Sequence, residues 1–145
     1  TQAGIQNYDD LYADILHWMD KGGIDYVVPQ IYWNQGFKVA EYNTLVKWWS
    51  KNAKNTSTDL YIGQAAYRVG AWSNPNELVN QINYNRNYPE IKGSIFFSYK
   101  SLKENPKNII NNLLNGPYSS LPSEVADIEN MSVKAERADE IAQKE

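Results

Sequence analysis

The sequence predicts an α/β fold on a parallel sheet. More narrowly, it predicts a partial (β/α)8 TIM barrel, about the last three βα units, with an acidic C-terminal tail. Three observations lead there. Short, nearly continuous apolar runs alternate with segments of helical periodicity, the order expected of right-handed strand–helix–strand crossovers. Tyr32, Tyr67 and Tyr99 lie 35 and 32 residues apart, the length of one βα unit. Three strands with helices on one side leave the other sheet face bare, a problem that closing the sheet into a barrel solves; a full barrel needs roughly 250 residues, and this chain has 145. The chain also opens on a helix, as if the preceding strand lay outside it. The rival is a small open sheet stable by itself.

The elements follow in order. Asn7 is a good N-cap residue with Asp9 and Asp10 in the first turn, and Leu11, Ile15 and Trp18 or Met19 keep helical spacing up to Gly22-Gly23. Residues 24–33 (IDYVVPQIYW) read as a strand covered on both faces, with Pro29 near a strand end or bulge because it lacks a ladder donor. A helix over about 40–53 carries Leu45, Val46, Trp48 and Trp49, one of the tryptophans facing away from the core. Residues 60–68 (LYIGQAAYR) form the second strand. Asn74 as cap, Pro75 at the first helical position and Glu77 in the capping-box position start the next helix, with Leu78, Val79 and Ile82 inward. The third strand spans 93–99 (GSIFFSY). Asn105-Pro106 open the last helix, with Ile109, Ile110, Leu113 and Leu114, which stops at Gly116-Pro117.

Charge divides the chain at that stop. Residues 1–118 hold 11 basic and 10 acidic side chains, whereas 119–145 hold 3 and 7. The reading is a barrel portion over 1–118 and a linker or acidic tail over 119–145, where Ala135, Ala138, Ile141 and Ala142 allow a weak amphipathic helix. A net charge of −3 argues against general nucleic-acid binding. No apolar run approaches the ~20 residues of a membrane span. The absence of Cys excludes disulfides and thiolate chemistry, and a single His argues against a metal centre. No glycine-rich phosphate loop appears, so no cofactor is expected. High aromatic content, with 11 Tyr and 5 Trp, hints at an extracellular bacterial protein that handles sugars.

In parallel α/β folds the site lies at the C-terminal strand ends. Those ends read Gln30, Tyr32, Trp33 and Asn34; Gln64, Tyr67 and Arg68; and Ser98, Tyr99 and Lys100. Amides bind sugar hydroxyls and aromatic faces stack on sugar rings, so the set suits a carbohydrate subsite. Arg68 can hold a carboxylate or polarise a ring oxygen; a structural ion pair is the plainer alternative. Trp72, beside Gly70 on the following loop, is a sugar platform or a lid residue. Which strand face looks inward is left open. Glycoside hydrolysis usually takes two carboxylates ~5–9.5 Å apart, yet no strand end carries Asp or Glu. Asp25 and Asp59 sit at strand starts, Glu41 reads as a first-turn helix residue, and His17 as a surface or packing residue.

The three strand segments, DYVVPQIYW at 25–33, YIGQAAYR at 61–68 and GSIFFSY at 93–99, resemble the last three strands of the glycosyl-hydrolase-like family 10; Pro29 through Trp33 is the most specific part. Residues 4–21 are similar to the family's preceding helix, so the resemblance covers about 1–118. It implies a (β/α)8 barrel in bacterial cell-envelope or secreted proteins, acting on glycan strands, with peptidoglycan the leading substrate for some members. It also implies that the catalytic carboxylates lie on an earlier strand, in an N-terminal half this chain does not contain. By that resemblance the chain is part of a glycoside hydrolase with Gln30, Tyr32, Trp33, Gln64, Tyr67 and Arg68 as subsite residues; Trp72 and Tyr99 join them on the strand-end reading alone. A non-catalytic carbohydrate-binding module and a protein-interaction scaffold are the alternatives.

Overall fold

The computed structural model describes residues 4–120. Its apolar runs form one parallel sheet. Strands β1 (Tyr26–Val27) and β2 (Gln30–Ile31) both pair with β3 (Asp59–Gln64), and β3 pairs on its other side with β4 (Ile91–Phe96). β1 and β2 are one strand path broken at Val28-Pro29. Pro29 has no N–H for the ladder, but its carbonyl still accepts from Gly63 N at 3.0 Å. The strands come so close there that a Cβ on Gly63 would lie 3.0 Å from the Pro29 oxygen. Glycine at 63 is therefore what lets the sheet continue past the proline.

The first predicted helix is two helices. Helix α1 (Asn7–Leu11) ends at Tyr12, which adopts φ 53°, and α2 (Ile15–Asp20) restarts with Asp14 as its cap, accepting from His17 N at 3.0 Å. Asn7 is not the cap; Gln6 is, and its N–H is taken by the Asp10 carboxylate at 2.7 Å. The stop at Gly22-Gly23 stands as read. Gly23 N reaches Trp18 O at 2.8 Å and Gly22 N reaches Met19 O at 3.2 Å, with Gly22 at φ 64°.

Helix α3 (Tyr42–Ala53) follows β2, and α4 (Glu77–Asn85) follows β3. The second predicted strand stops at Gln64 rather than Arg68, because Ala66–Arg68 turn into a 3₁₀ helix. Asn74 and Pro75 lie ahead of α4 instead of in it; the cap is Asn76, and the Asn74 side chain accepts from Asn76 N at 2.9 Å. Beyond β4 the chain forms α5 (Tyr99–Lys103), a short helix the sequence did not announce, which takes Tyr99 out of the strand. Helix α6 (Ile109–Leu114) follows a 3₁₀ turn at Pro106–Asn108, and Asn105 still serves it by accepting from Ile110 N at 2.8 Å. The tail reading at 121–145 lies outside the described residues.

Strand period places Leu60, Ile62 and Gln64 on one sheet face, and that face is covered. Leu60 and Ile62 join Met19, Ile31, Tyr42, Val46 and Ala53 in one core cluster, while Leu78, Ile82, Ile109 and Leu113 join Ala65, Val69 and Trp72 in a second. Trp49 packs against the first cluster, and Trp48 points outward, edge-on to Trp49 at 5.1 Å. The opposite sheet face carries Tyr26, Tyr61, Gly93, Ile95 and Phe97, and no described element covers it. Tyr26 is 61%, Ile95 46% and Phe97 59% exposed.

Candidate functional site

At the C-terminal ends of the strands the chain turns away from the sheet through two loops, and a cleft of about 400 Å³ opens between them. It is lined by Trp33, Asn34 and Phe37 from the loop after β2, and by Tyr67, Arg68, Ala71 and Trp72 from the loop after β3. Tyr67 N donates to Phe97 O at 3.3 Å and Phe97 N to Gln64 O at 2.9 Å, so the 3₁₀ turn is sewn to the end of β4. An aromatic cluster results: Tyr32 stands edge-on to Tyr67 at 6.0 Å and stacks with Phe97 at 6.2 Å. Burial, and then the neighbouring Tyr67 phenol, raise the Tyr32 hydroxyl above its ordinary pKa. The guanidinium of Arg68 lies 5.7 Å over the Tyr67 ring and Nε donates to the Tyr67 hydroxyl at 3.3 Å. Among the described residues no carboxylate pairs with Arg68; Lys21 and Asp20, neighbours at the end of α2 and outside the cleft lining, form a surface ion pair.

Of the sequence's site residues, Trp33, Tyr67, Arg68 and Trp72 come together in the cleft, and Tyr32 abuts it through the aromatic cluster. Gln30 is exposed on β2, side by side with Gly63 on the bare face. Gln64 is fully buried on the other face, where Nε2 donates to the Tyr42 hydroxyl at 3.2 Å and to Gln81 Oε1 at 3.4 Å. Tyr99 stands in solvent on α5, away from the cleft lining. Phe37 is a wall the sequence reading missed, because an aromatic inside a Gly-containing loop has no periodicity to mark it. His17 is exposed on α2. Among the described residues no three His, Asp or Glu side chains gather as metal ligands would.

Two carboxylates hold the cleft loop. Glu41, the cap of α3, accepts from Thr44 N at 2.6 Å and from Gly36 N at 3.2 Å. Partial burial works to raise its pKa, but the N–H donors of Thr44, Asn43 and Gly36 outweigh it and hold the carboxyl below the usual range. A lowered folded pKa means Glu41 stabilises the fold above the ordinary glutamate pKa and loses that contribution as pH falls through the folded value. Urea melts of the intact gene product between pH 7 and pH 3 should therefore show an acid-side loss that Glu41→Gln makes shallower; parallel pH profiles would refute this. Glu77 is the second carboxylate. It is 4% exposed, and its Oε1 accepts from Gln35 N at 2.6 Å and from Gln81 Nε2 at 2.9 Å.

Comparison with known proteins adds what geometry cannot. A family model described as glycosyl hydrolase-like 10 matches residues 2–92. The chain is 50% identical over 124 residues to the glycosyl hydrolase YngK of Bacillus subtilis, covering 82% of this chain and 24% of that protein. It is 41% identical over 104 residues to the glycosyl hydrolase DigH of Escherichia coli K12, covering 65% of this chain and 24% of that protein. The chain thus spans about a quarter of the length of these relatives.

Proposed function

The chain belongs to the glycosyl hydrolase-like 10 family, and from that premise we propose that it forms a sugar-binding wall of a bacterial glycoside hydrolase acting on glycan strands, with peptidoglycan the leading substrate. The observation that carries this reading is the cleft. Trp33, Phe37, Tyr67 and Trp72 give it aromatic walls. Arg68 brings a cation with no carboxylate partner among the described residues, free for a sugar carboxylate or a ring oxygen. Gln30, Tyr32, Gln64 and Tyr99 fall outside the lining, so the proposed subsite narrows to Trp33, Tyr67, Arg68 and Trp72.

The parallel strand order and the bare sheet face suit a sheet continued by further strands, in which these would be about the last three βα units of a (β/α)8 barrel. Residues 119–145 are then linker or tail. Hydrolysis of a glycosidic bond would draw its two carboxylates from outside this chain, in the N-terminal half of the barrel. The place of action that suits such a substrate is the cell envelope or the exterior of the cell. No described helix is long and apolar enough to cross a membrane.

A second reading, a non-catalytic carbohydrate-binding module, is favoured by one observation: neither carboxylate that holds the cleft loop, Glu41 or Glu77, is unengaged. The two readings part on turnover. Titrating soluble glycan strands into the intact gene product should quench or shift Trp fluorescence, and product release should accompany binding only if the protein is a hydrolase. Trp33→Ala and Arg68→Ala should each weaken binding by roughly tenfold. A fluorescence signal indifferent to every glycan would leave the interaction-scaffold reading in possession.

A further inference from the structure

We infer that Glu77 and Gln81, on the first turns of α4, are positioning residues that clamp the Trp33 wall of the cleft; the inference rests on the cleft being a glycan subsite. Three backbone groups of the loop after β2 are held by side chains, outside any strand ladder. Gln81 Nε2 donates to the Trp33 carbonyl at 3.2 Å, Gln35 N donates to Glu77 at 2.6 Å, and Gly36 N donates to Glu41 at 3.2 Å. Glu77 and Gln81 are 4% and 0% exposed, and Glu77 binds Gln81 one turn on. The pair is therefore a single buried bracket with two contacts to the loop that carries Trp33.

The same bracket reaches the opposite wall. Gln81 Oε1 accepts from Gln64, the last residue of β3, two positions before the turn that presents Tyr67 and Arg68. A buried carboxylate with no cation beside it among the described residues is costly unless donors compensate. Here two N–H groups do so, from Gln35 N at 2.6 Å and Gln81 Nε2 at 2.9 Å. Ordinary helix capping does not account for this arrangement, because the α4 cap is Asn76 and Glu77 turns its oxygen to a loop 42 residues earlier.

The test uses the intact gene product labelled with fluorotryptophan, its Trp33 resonance assigned by Trp33→Phe. Glu77→Ala should shift or broaden that resonance and weaken glycan binding by roughly tenfold. Glu77→Gln, which keeps an oxygen acceptor, should hold the resonance near its wild-type position and lose no more than about threefold in affinity. Asn85→Ala serves as control: it removes the partner of the Tyr42 hydroxyl at the far end of the same buried polar chain, so it should cost stability and leave the Trp33 resonance in place. A Trp33 resonance unmoved by Glu77→Ala, or moved equally by Asn85→Ala, would overturn the clamp. If Glu77→Ala does not fold, Gln81→Met, which removes the donor to the Trp33 carbonyl at similar volume, is judged by the same resonance. A wild-type protein that binds no glycan defeats the subsite reading alone, since the fluorine signal still decides whether Trp33 is held.

Discussion

Incubated alone with soluble glycan strands, the 145-residue chain is expected to release no reducing ends above the uncatalysed background, whereas the proposed hydrolase function requires that the intact gene product turn over. The deficit should be at least about a millionfold, the low end of enzymatic acceleration. The reason is the chemistry the cleft lacks. Cleavage needs one carboxyl to protonate the leaving oxygen and a second carboxylate to act as base or nucleophile. The cleft lining contains aromatics, Asn34, Arg68 and Ala71. The two carboxylates that hold its loop are occupied: Glu41 caps α3 and is held ionised by N–H donors, which disqualifies it as an acid at neutral pH, and Glu77, on α4, is buried against Gln35 and Gln81. Glu41→Gln and Glu77→Gln in the intact protein should accordingly spare turnover far more than loss of a true catalytic acid would. Turnover by the isolated chain, abolished by either substitution, would show that the acids were here after all.

The βα alternation was legible because strand and helix leave different periods in the sequence, and the helix stops at Gly22 and Gly116 are marked by residue type. The break at Tyr12 was not legible, because Leu11, Ile15 and Met19 keep their four-residue spacing straight through it. In the sequence Tyr67 and Arg68 look like strand because the small apolar residues Ala65 and Ala66 extend the run; the chain turns there once Phe97 N takes the Gln64 carbonyl, a pairing between distant segments. Gln64 is the instructive case. Its amide suits a sugar site, yet strand period puts it on the face of Leu60 and Ile62, and a polar residue in that series has to find buried partners, as it does in Tyr42 and Gln81. Knowing which face was covered required the register. The cleft residues Trp33, Arg68 and Trp72 were legible from their place just after apolar runs, whereas the Glu77–Gln81 bracket was hidden behind a plausible capping signal.

The two faces of the sheet should answer to substitution in opposite ways. Expressed alone, the chain is expected to self-associate, seen as broad or early elution in size exclusion, because Tyr26, Ile95 and Phe97 leave an apolar sheet face open to water. Ile95→Lys on that face removes an apolar surface group that no described element covers. It should sharpen elution while changing stability by only about 0.5 kcal/mol. Ile62→Ala lies one residue off on the neighbouring strand, paired with Ser94, but faces α3 with no exposure. It should cost about 2–5 kcal/mol of unfolding free energy, since burial is lost and the core cannot close the cavity without strain. The intact gene product discriminates further. If its other strands cover the bare face, Ile95→Lys there becomes as damaging as Ile62→Ala, because a charge would enter a core. A monodisperse, cooperatively melting monomer from the short chain, with Ile95→Lys harmless in both forms, would mean that nothing else in the protein packs on this face and that the sheet was never part of a closed cylinder.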